Sequence, residues 1–375
     1  MKILVDARSL VDPSPGGIPR VSRELLPALF AASQEHQFSL ITTGQKKPSL
    51  PLSLPPHVTH QHVHLPNKCW SLGCATFLWT LDQWSTAEPD VLFFPNLGFI
   101  GHPSKPYAVL VHDISFLIEP RWFGMRRSLW HRAVRARSFL KHAHHLFAVS
   151  EKTKQDLIRL LNIKAETVTT LPFGWSMRPT APPLPPILEG RPFFLAFGAN
   201  NPRKNTATAT AAFERLKEKR PDEKLALVIV GGSPAPKPPL SPLSGGSLNA
   251  LPDKGGMGRV SGDPIIFLNS PSDAALQSLF KHATAFLYPS WYEGFGIPLH
   301  EAAQFNTPCL AADAGALPET APKGTLFLPA YKPHLWATAM EQCLDTRDLL
   351  KTTSTLPDWN VAAECIKNRL VEMNP

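Results

Sequence analysis

Two carboxylates, a glycine turn and a proline between Phe286 and Glu301 are the groups with which this sequence could do chemistry. The run reads Phe-Leu-Tyr-Pro-Ser-Trp-Tyr-Glu-Gly-Phe-Gly-Ile-Pro-Leu-His-Glu. Its apolar start suits the end of a buried strand, Gly294 and Gly296 suit a turn, and Pro298 suits the first helical position. A helix N-terminus offers unpaired backbone N–H groups and the positive end of its dipole, which fits an anion such as a nucleotide diphosphate. Glu293 and Glu301 bracket this turn with seven residues between them. On one continuous helix eight steps would leave them roughly 80° apart. The turn instead lets Glu293 stand before it and Glu301 in the first helical turn, so that both can look into one crevice. A plainer reading competes: Glu301 complements the helix dipole and Glu293 caps a surface loop. Spacing alone does not decide between them, so the surrounding elements must.

Those elements repeat one pattern. Lys2 to Asp6 is a short apolar strand that leads through Pro13 to Ile18 into a helical pattern over Arg20 to Phe30. Gly16 and Gly17 do not form the G-x-G-x-x-G dinucleotide fingerprint, so their loop is a flexible cradle or a structural turn. Val91 to Phe94 and Ala108 to Val111 are continuous apolar runs of the kind parallel sheets bury on both faces. The second ends in His112-Asp113, at the strand end where open α/β sheets place ligands, which makes His112 a site candidate against simple packing. Arg126 to His145 reads as one helix with Leu129, Ala133, Ala136, Leu140 and Ala143 in a stripe and Arg126, Arg127, Arg132, Arg135 and Lys141 elsewhere on it. Such a helix can lie on an anionic leaflet, guide an anionic substrate, or simply face water. Leu146 to Val149 is another strand, and Ser150 is an N-cap for a helix to Leu161.

A proline-rich stretch from Thr180 to Pro186 separates a second series. Phe193 to Phe197 is a strand, and the loop after it, Gly198 to Asn205, carries the adjacent cations Arg203 and Lys204. Leu225 to Gly231, Ile265 to Leu268, Ala285 to Tyr288, Thr307 to Ala311 and Thr325 to Leu328 continue as strands. Ser233 to Gly262, dominated by Pro, Gly and Ser, reads as a flexible insertion. The expected fold is α/β: two Rossmann-like domains with parallel sheets, residues 1–180 and 187–357, facing one another across an interdomain cleft that holds the site.

Bulk composition narrows the classes. The 375 residues suffice for two domains, and 43% hydrophobic with 18% charged residues describes a soluble globular chain. Asp6 interrupts any signal-peptide core, and no run approaches the roughly 18 apolar residues of a spanning helix. Five cysteines without a Cys-x-x-Cys pair point to a reducing compartment, the cytoplasm, and to no disulfide or zinc framework. His57, His60, His62 and His64 alternate as on an exposed edge strand, with no Cys or carboxylate at ligand spacing to make them a metal site. Residues 1–180 hold 20 Lys and Arg against 12 Asp and Glu, whereas residues 181–375 hold 18 of each, so the whole net charge of +8 lies in the first half. That half suits an anionic partner, whether a membrane surface such as the inner face of the cell membrane, an acidic acceptor or nucleic acid, or it is simply a solvated basic face. The basic helix belongs to no recognised module for nucleic acid, which is not an expected partner.

The motifs now fall into register with a known family. Arg203-Lys204-Asn205, Tyr288-Pro289-Ser290, Glu293-Gly294-Phe295-Gly296-Ile297-Pro298 with Glu301-Ala302, and Gly315-Ala316-Leu317-Pro318-Glu319 resemble the retaining family-four (group 1) glycosyltransferases of GT-B fold. Gly16-Gly17, Val111-His112-Asp113 and Ala148-Val149-Ser150-Glu151 agree in the first half. The resemblance implies that Glu293 contacts donor-sugar hydroxyls, Glu301 the ribose, and the backbone from Phe295 through Gly296, Ile297 and Pro298 to Leu299 the sugar and phosphates. It further implies that Lys204 and Arg203 pair with the donor diphosphate, that Gly16 and Gly17 line the acceptor and phosphate side, that His112 approaches the transferred sugar, and that Asn269 and Ser270 lie beside the base. Pro357-Asp358-Trp359 before a last helix, 358–375, resembles the segment that crosses back onto the first domain.

The sequence contains no Asp-x-Asp. Fixed cations and helix amides can stabilise a departing diphosphate where its charge develops, so no metal or cofactor is expected. The implied reaction is same-face transfer of a hexose from a nucleotide-sugar donor to a polysaccharide or lipid-linked glycan, with a donor phosphate oxygen helping to take the acceptor proton. Pro202-Arg203-Lys204-Asn205 with His112-Asp113 looks most like mannosyltransferases of surface-polysaccharide assembly, which makes GDP-mannose the first donor. One departure stands out: the family's further Arg after the strand is replaced by Gly198-Ala199, so neutralisation rests more on Arg203. A non-hydrolysing nucleotide-sugar epimerase on the same fold, or a non-catalytic nucleotide-sugar-binding module, are the alternatives. The first lacks its own motifs here, and intact Glu293, Glu301 and Lys204 speak against the second.

Overall fold

The computed structural model describes residues 1–12, 16–76, 79–174, 183–198, 201–231, 264–346 and 350–374. The proline-rich stretch at 180–182 and the insertion at 233–262 lie outside the described residues, as do Pro13 to Pro15 and Ala199. The chain divides into two compact units, residues 1–176 with 356–375, and residues 177–355.

The first unit is built on a seven-stranded sheet in which every pairing is parallel. Its strands are β1 (Lys2–Asp6), β2 (Gln37–Gly44), β3 (Val58–His64), β4 (Val91–Phe94), β5 (Tyr107–Val111), β6 (His145–Ala148) and β7 (Val168–Thr170), in the order β3-β2-β1-β4-β5-β6-β7. Continuous apolar runs become strands here because both faces are covered: β4, β5 and β6 are buried at every position. The histidine-rich β3 is the edge strand. His60 Nε2 and His62 Nδ1 lie 2.8 and 3.0 Å from Thr42 Oγ1, and His62 Nε2 lies 3.1 Å from the Gly44 carbonyl. These rings are spoken for by the neighbouring strand.

The helices of this unit begin with α1 (Gly17–Ala32), which buries Val21, Leu25, Leu26, Leu29 and Phe30. It starts earlier than the periodicity suggests: Gly16 is the N-cap and Gly17 already helical. Next come α2 (Asn67–Ala75) and the single turn α3 (Ser115–Ile118). The expected helix from Arg126 to His145 is in fact α4 (Met125–Val134) and α5 (Ala136–Lys141), broken at Arg135, whose φ of +52° is left-handed. A single left-handed residue redirects the axis, so only Ala136, Phe139 and Leu140 of the second piece reach the core. Leu129, the expected start of the apolar stripe, is exposed instead. His145 opens β6 rather than closing a helix. α6 (Glu151–Leu161) is capped as expected, with the Thr153 N–H donating to Ser150 Oγ at 3.1 Å.

The second unit is a six-stranded parallel sheet of β8 (Phe193–Phe197), β9 (Ala226–Val230), β10 (Ile265–Leu268), β11 (Ala285–Tyr288), β12 (Cys309–Ala312) and β13 (Leu326–Leu328), ordered β10-β9-β8-β11-β12-β13. Its helices are α7 (Thr206–Lys219), α8 (Asp273–His282), α9 (Ile297–Ala303), α10 (Leu317–Thr320) and α11 (Pro333–Thr346). Strand order reverses between β8 and β11, as it does between β1 and β4 in the first unit. Loops leaving the carboxyl ends of two such strands diverge to opposite faces, opening a crevice where open α/β sheets bind ligands.

The chain ends in α12 (Trp359–Glu372), which packs on α1 within the first unit. Trp359 Nε1 donates to Glu24 Oε2 at 2.6 Å and its ring meets Phe173 edge-on at 4.9 Å. Gly174 is needed beneath it: a Cβ there would lie 2.8 Å from the indole.

Candidate functional site

The crevice between β8 and β11 is where the sequence places its cations and its first carboxylate. At the end of β8, Gly198 has φ +91°, and the Pro202–Lys204 turn follows. Asn205 closes it at φ +51°, a left-handed position that Asn tolerates. The Asn205 side chain donates from Nδ2 to the carbonyls of Pro289 and Ala330 at 3.0 and 2.9 Å. The Trp291 N–H donates to the Arg203 carbonyl at 2.9 Å. The two loops are thus stitched together by backbone groups before any charge is considered.

The charges then converge. Arg203 Nη1 lies 2.6 Å from Glu293 Oε2, and Lys204 Nζ donates to Glu293 Oε1 at 2.7 Å. Arg203 Nη1 also donates to the Tyr292 carbonyl at 2.6 Å. The Glu293 side chain is 8% exposed, and those of Arg203 and Lys204 are 12% and 17% exposed. Burial by itself would push the Glu293 carboxyl up, but the two adjacent cations hold it down at about 2, so it is ionised at any ordinary pH. One carboxylate faces two cations in a nearly dry pocket.

The loop carrying Glu293 is braced from the far side. Gly315, at φ +59°, passes so close that a Cβ would lie 2.7 Å from the Glu293 nitrogen, and the Ala316 N–H donates to the Glu293 carbonyl at 3.0 Å. Thr320 Oγ1 donates to the Phe295 carbonyl. His300 Nε2 donates to the Thr320 carbonyl at 2.7 Å, which leaves Nδ1 to accept from Ser354 Oγ at 2.8 Å. Burial lowers the His300 pKa to about 4, so this neutral ring ties α9 to α10.

Sequence expectations and structure differ on where α9 begins. Gly296, at φ +100°, is the N-cap, Ile297 is the first helical residue and Pro298 the second. Glu301 is therefore in the second turn, not the first. It is buried, at 4% exposure, and its charge acts on the Tyr288 phenol, which burial and Glu293 together raise well above its ordinary pKa. Leu299 points into the core, while Phe295, Ile297 and Pro298 are half-buried around the buried Gly294 and Gly296.

Asn269 and Ser270 are exposed at the end of β10, an edge strand two places from β8, and Ser270 has φ +48°. They share the sheet's carboxyl edge with the charged cluster. In the first unit, His112 follows β5 and donates from Nε2 to the Pro95 carbonyl at 2.8 Å; burial lowers its pKa to about 4 and leaves Nδ1 as an acceptor. Gly16 and Gly17 are exposed at the N-terminus of α1. Also at that unit's strand ends, Asp6 accepts from Arg8 Nε and Nη2 at 2.8 and 2.6 Å.

The family model for group 1 glycosyl transferases matches residues 178–355, and that for glycosyltransferase family 4 matches residues 15–175. The chain belongs to this glycosyltransferase family. It is 26% identical over 257 residues to the serotype-specific mannosyltransferase WbdA of Escherichia coli, covering 63% of this chain and 29% of that protein. The chain thus spans less than a third of that relative's length. Among solved structures, sucrose-phosphate synthase from Thermosynechococcus elongatus superposes with a TM-score of 0.65 at 16% identity, over 98% of this chain and 94% of the other. Anabaena Alr3699/HepE, solved with UDP-glucose, superposes with a TM-score of 0.58 at 14% identity, over 100% and 97%. The fold is accordingly GT-B, with its two Rossmann-like parallel-sheet units.

The roles of three groups at the candidate site were not legible in the sequence. Tyr288 was legible only as part of a motif, yet its hydroxyl accepts from Lys204 Nζ at 2.7 Å. Gly198 and Gly315 support Lys204 and Glu293, respectively, by having no side chain. Only the positive φ that glycine permits could have hinted at the last two.

Proposed function

We propose that this chain is a retaining hexosyltransferase that takes its sugar from a nucleotide-sugar donor and delivers it to a polysaccharide or lipid-linked glycan acceptor. The observation that carries the proposal is the convergence of Arg203 and Lys204 on buried Glu293 at the β8/β11 crevice. Two fixed cations suit a diphosphate whose charge grows as the glycosidic bond breaks, and groups preorganised in a dry site stabilise that charge most. Arg203 and Lys204 take the part a divalent metal plays elsewhere. Glu293 then accepts hydrogen bonds from sugar hydroxyls and Glu301 from the ribose, while Asn269 and Ser270 flank the base. A donor phosphate oxygen helps remove the acceptor proton on the face from which the diphosphate leaves. His112, neutral and with Nδ1 free of its proton, accepts from a hydroxyl of the transferred sugar, and Gly16 and Gly17 allow the acceptor and phosphate close to the backbone.

Likeness to a mannosyltransferase favours mannose, from GDP-mannose, as the sugar. The chain works in the cytoplasm, and the basic first unit meets the inner face of an anionic membrane. Among the described residues no helix is long and apolar enough to cross a membrane. Melting curves of the purified protein with GDP-, UDP-, ADP- and dTDP-sugars test the donor, because a ligand bound only by the folded state raises Tm. A shift confined to GDP-mannose supports the reading. A shift with another nucleotide reassigns the base, and none at all removes the proposal.

A further inference from the structure

Lys204 is one of the two cations that the proposed function assigns to the donor diphosphate, and its ammonium is held by more than Glu293. A lysine side chain has four rotatable bonds and a compact charge, so it occupies one place only where the surroundings confine it. Here Gly198 lies under the stem: a Cβ at position 198 would come within 2.4 Å of Lys204 Cγ and 2.7 Å of its Cβ. Tyr288 closes the far end. It stands at the last position of β11, 2% exposed, with its hydroxyl accepting from Lys204 Nζ at 2.7 Å and its ring centroid 4.6 Å from the same nitrogen. The ring packs on Phe286 at 5.5 Å between centroids, within the second unit's core, so the hydroxyl is fixed by the strand that carries it.

We propose that Tyr288 is a positioning residue for diphosphate binding, its hydroxyl and ring face holding the Lys204 ammonium at the β8/β11 crevice. This inference rests on the proposed placement of the donor diphosphate beside Lys204. The phenol stays protonated, so Tyr288 supplies no charge. Its neutral oxygen orients Nζ without competing for the phosphate as a second carboxylate would. Glu293 fixes the ammonium from one side and Tyr288 from another.

The test is a double-substitution cycle read by isothermal titration with GDP and with UDP on the full chain. Lys204→Met keeps most of the stem and removes the charge, and Tyr288→Phe keeps the ring and removes the oxygen. Tyr288→Phe is expected to weaken diphosphate binding about tenfold, the scale of one lost hydrogen bond to a charged group. In the Lys204→Met background the same change should do nothing further, because a residue that acts through the ammonium has nothing left to position. A Tyr288→Phe variant that binds like the wild type overturns the proposal, and so does one whose loss multiplies fully with that of Lys204→Met. Lys204→Met that binds both diphosphates normally sinks the placement of the donor itself, a separate failure. Should the phenylalanine variant fold poorly, labelling the four tyrosines with 3-fluorotyrosine gives a second readout. One fluorine resonance should shift on Lys204→Met in the unliganded protein, and a spectrum unmoved by that substitution contradicts the contact.

Discussion

Lys204 Nζ and Glu293 Oε1 lie 2.7 Å apart although the residues are 89 positions apart in sequence. The contact joins the loop after β8 to the loop after β11 across the point where strand order reverses. The one carboxylate compensates both cations, Arg203 and Lys204. On the proposed reading, an arriving diphosphate would draw Lys204 and Arg203 to its oxygens and free Glu293 to accept from sugar hydroxyls.

That exchange makes Glu293→Gln informative. The amide leaves two mostly buried cations, 12% and 17% exposed, facing no charge, which costs up to about 3–5 kcal/mol of stability in the unliganded protein. A nucleoside diphosphate then restores the missing negative charge. Melting curves should show a lower Tm than wild type without ligand and a larger rise with GDP or UDP, while sugar transfer falls by roughly 100-fold or more. A smaller ligand-induced rise than in the wild type would contradict the exchange.

Gly198→Ala sets backbone conformation against side-chain position. Alanine at φ +91° is strained, and its Cβ meets Lys204 Cγ at 2.4 Å. A loss of about 1–3 kcal/mol is expected in chemical denaturation, together with weaker diphosphate binding in calorimetry. Unchanged affinity would show that Lys204 finds its place without the glycine.

Acid should destabilise the protein in two stages. Burial lowers His112, His145 and His300 from 6.5 to about 4. The unfolded chain therefore binds more protons than the folded one between those values, and stability falls as pH drops from about 6.5 towards 4. Glu293 has a folded pKa of about 2 against 4.5, so its contribution is complete above 4.5 and disappears between there and 2. Urea midpoints at pH 7 and pH 5 check the first stage; equal midpoints contradict the neutral, buried histidines.

The membrane reading places charge and apolar surface on the first unit. Residues 120–150 contain no acid, and Leu72, Leu129 and Trp130 are 66%, 57% and 39% exposed. Flotation should find the full chain on vesicles containing anionic lipid and not on purely zwitterionic ones, with binding that weakens as salt rises. Arg132→Glu with Arg135→Glu should reduce it several-fold; indifference to both salt and charge reversal removes the reading. The side chains of Arg126 and Arg127 lie outside the described residues.

The sheets were legible because buried parallel strands are unbroken apolar runs. Val91–Phe94, Phe193–Phe197, Ile265–Leu268 and Ala285–Tyr288 fall where the sequence suggests. The break at Arg135 was not, since hydrophobic periodicity continues through a single left-handed residue. Glu301 falls in a later turn because the helix begins one residue before Pro298, at Ile297 directly after the left-handed Gly296, a backbone choice that composition does not record. Motif order named Arg203, Lys204 and Glu293 as candidates, but their mutual ion pairs depend on which strands are neighbours. Tyr288 is the sharpest case: as a strand-end aromatic it reads as core, and its contact with Lys204, 84 residues away, gives it a second task.

The most direct measurement is the rate of nucleoside diphosphate release from GDP-mannose, with acceptor or water, for wild type and Lys204→Ala at matched folded fraction. Lys204→Ala should lose at least about 100-fold, the scale on which a fixed charge at a developing anion is felt, while still melting cooperatively. Wild-type release by folded Lys204→Ala would contradict it.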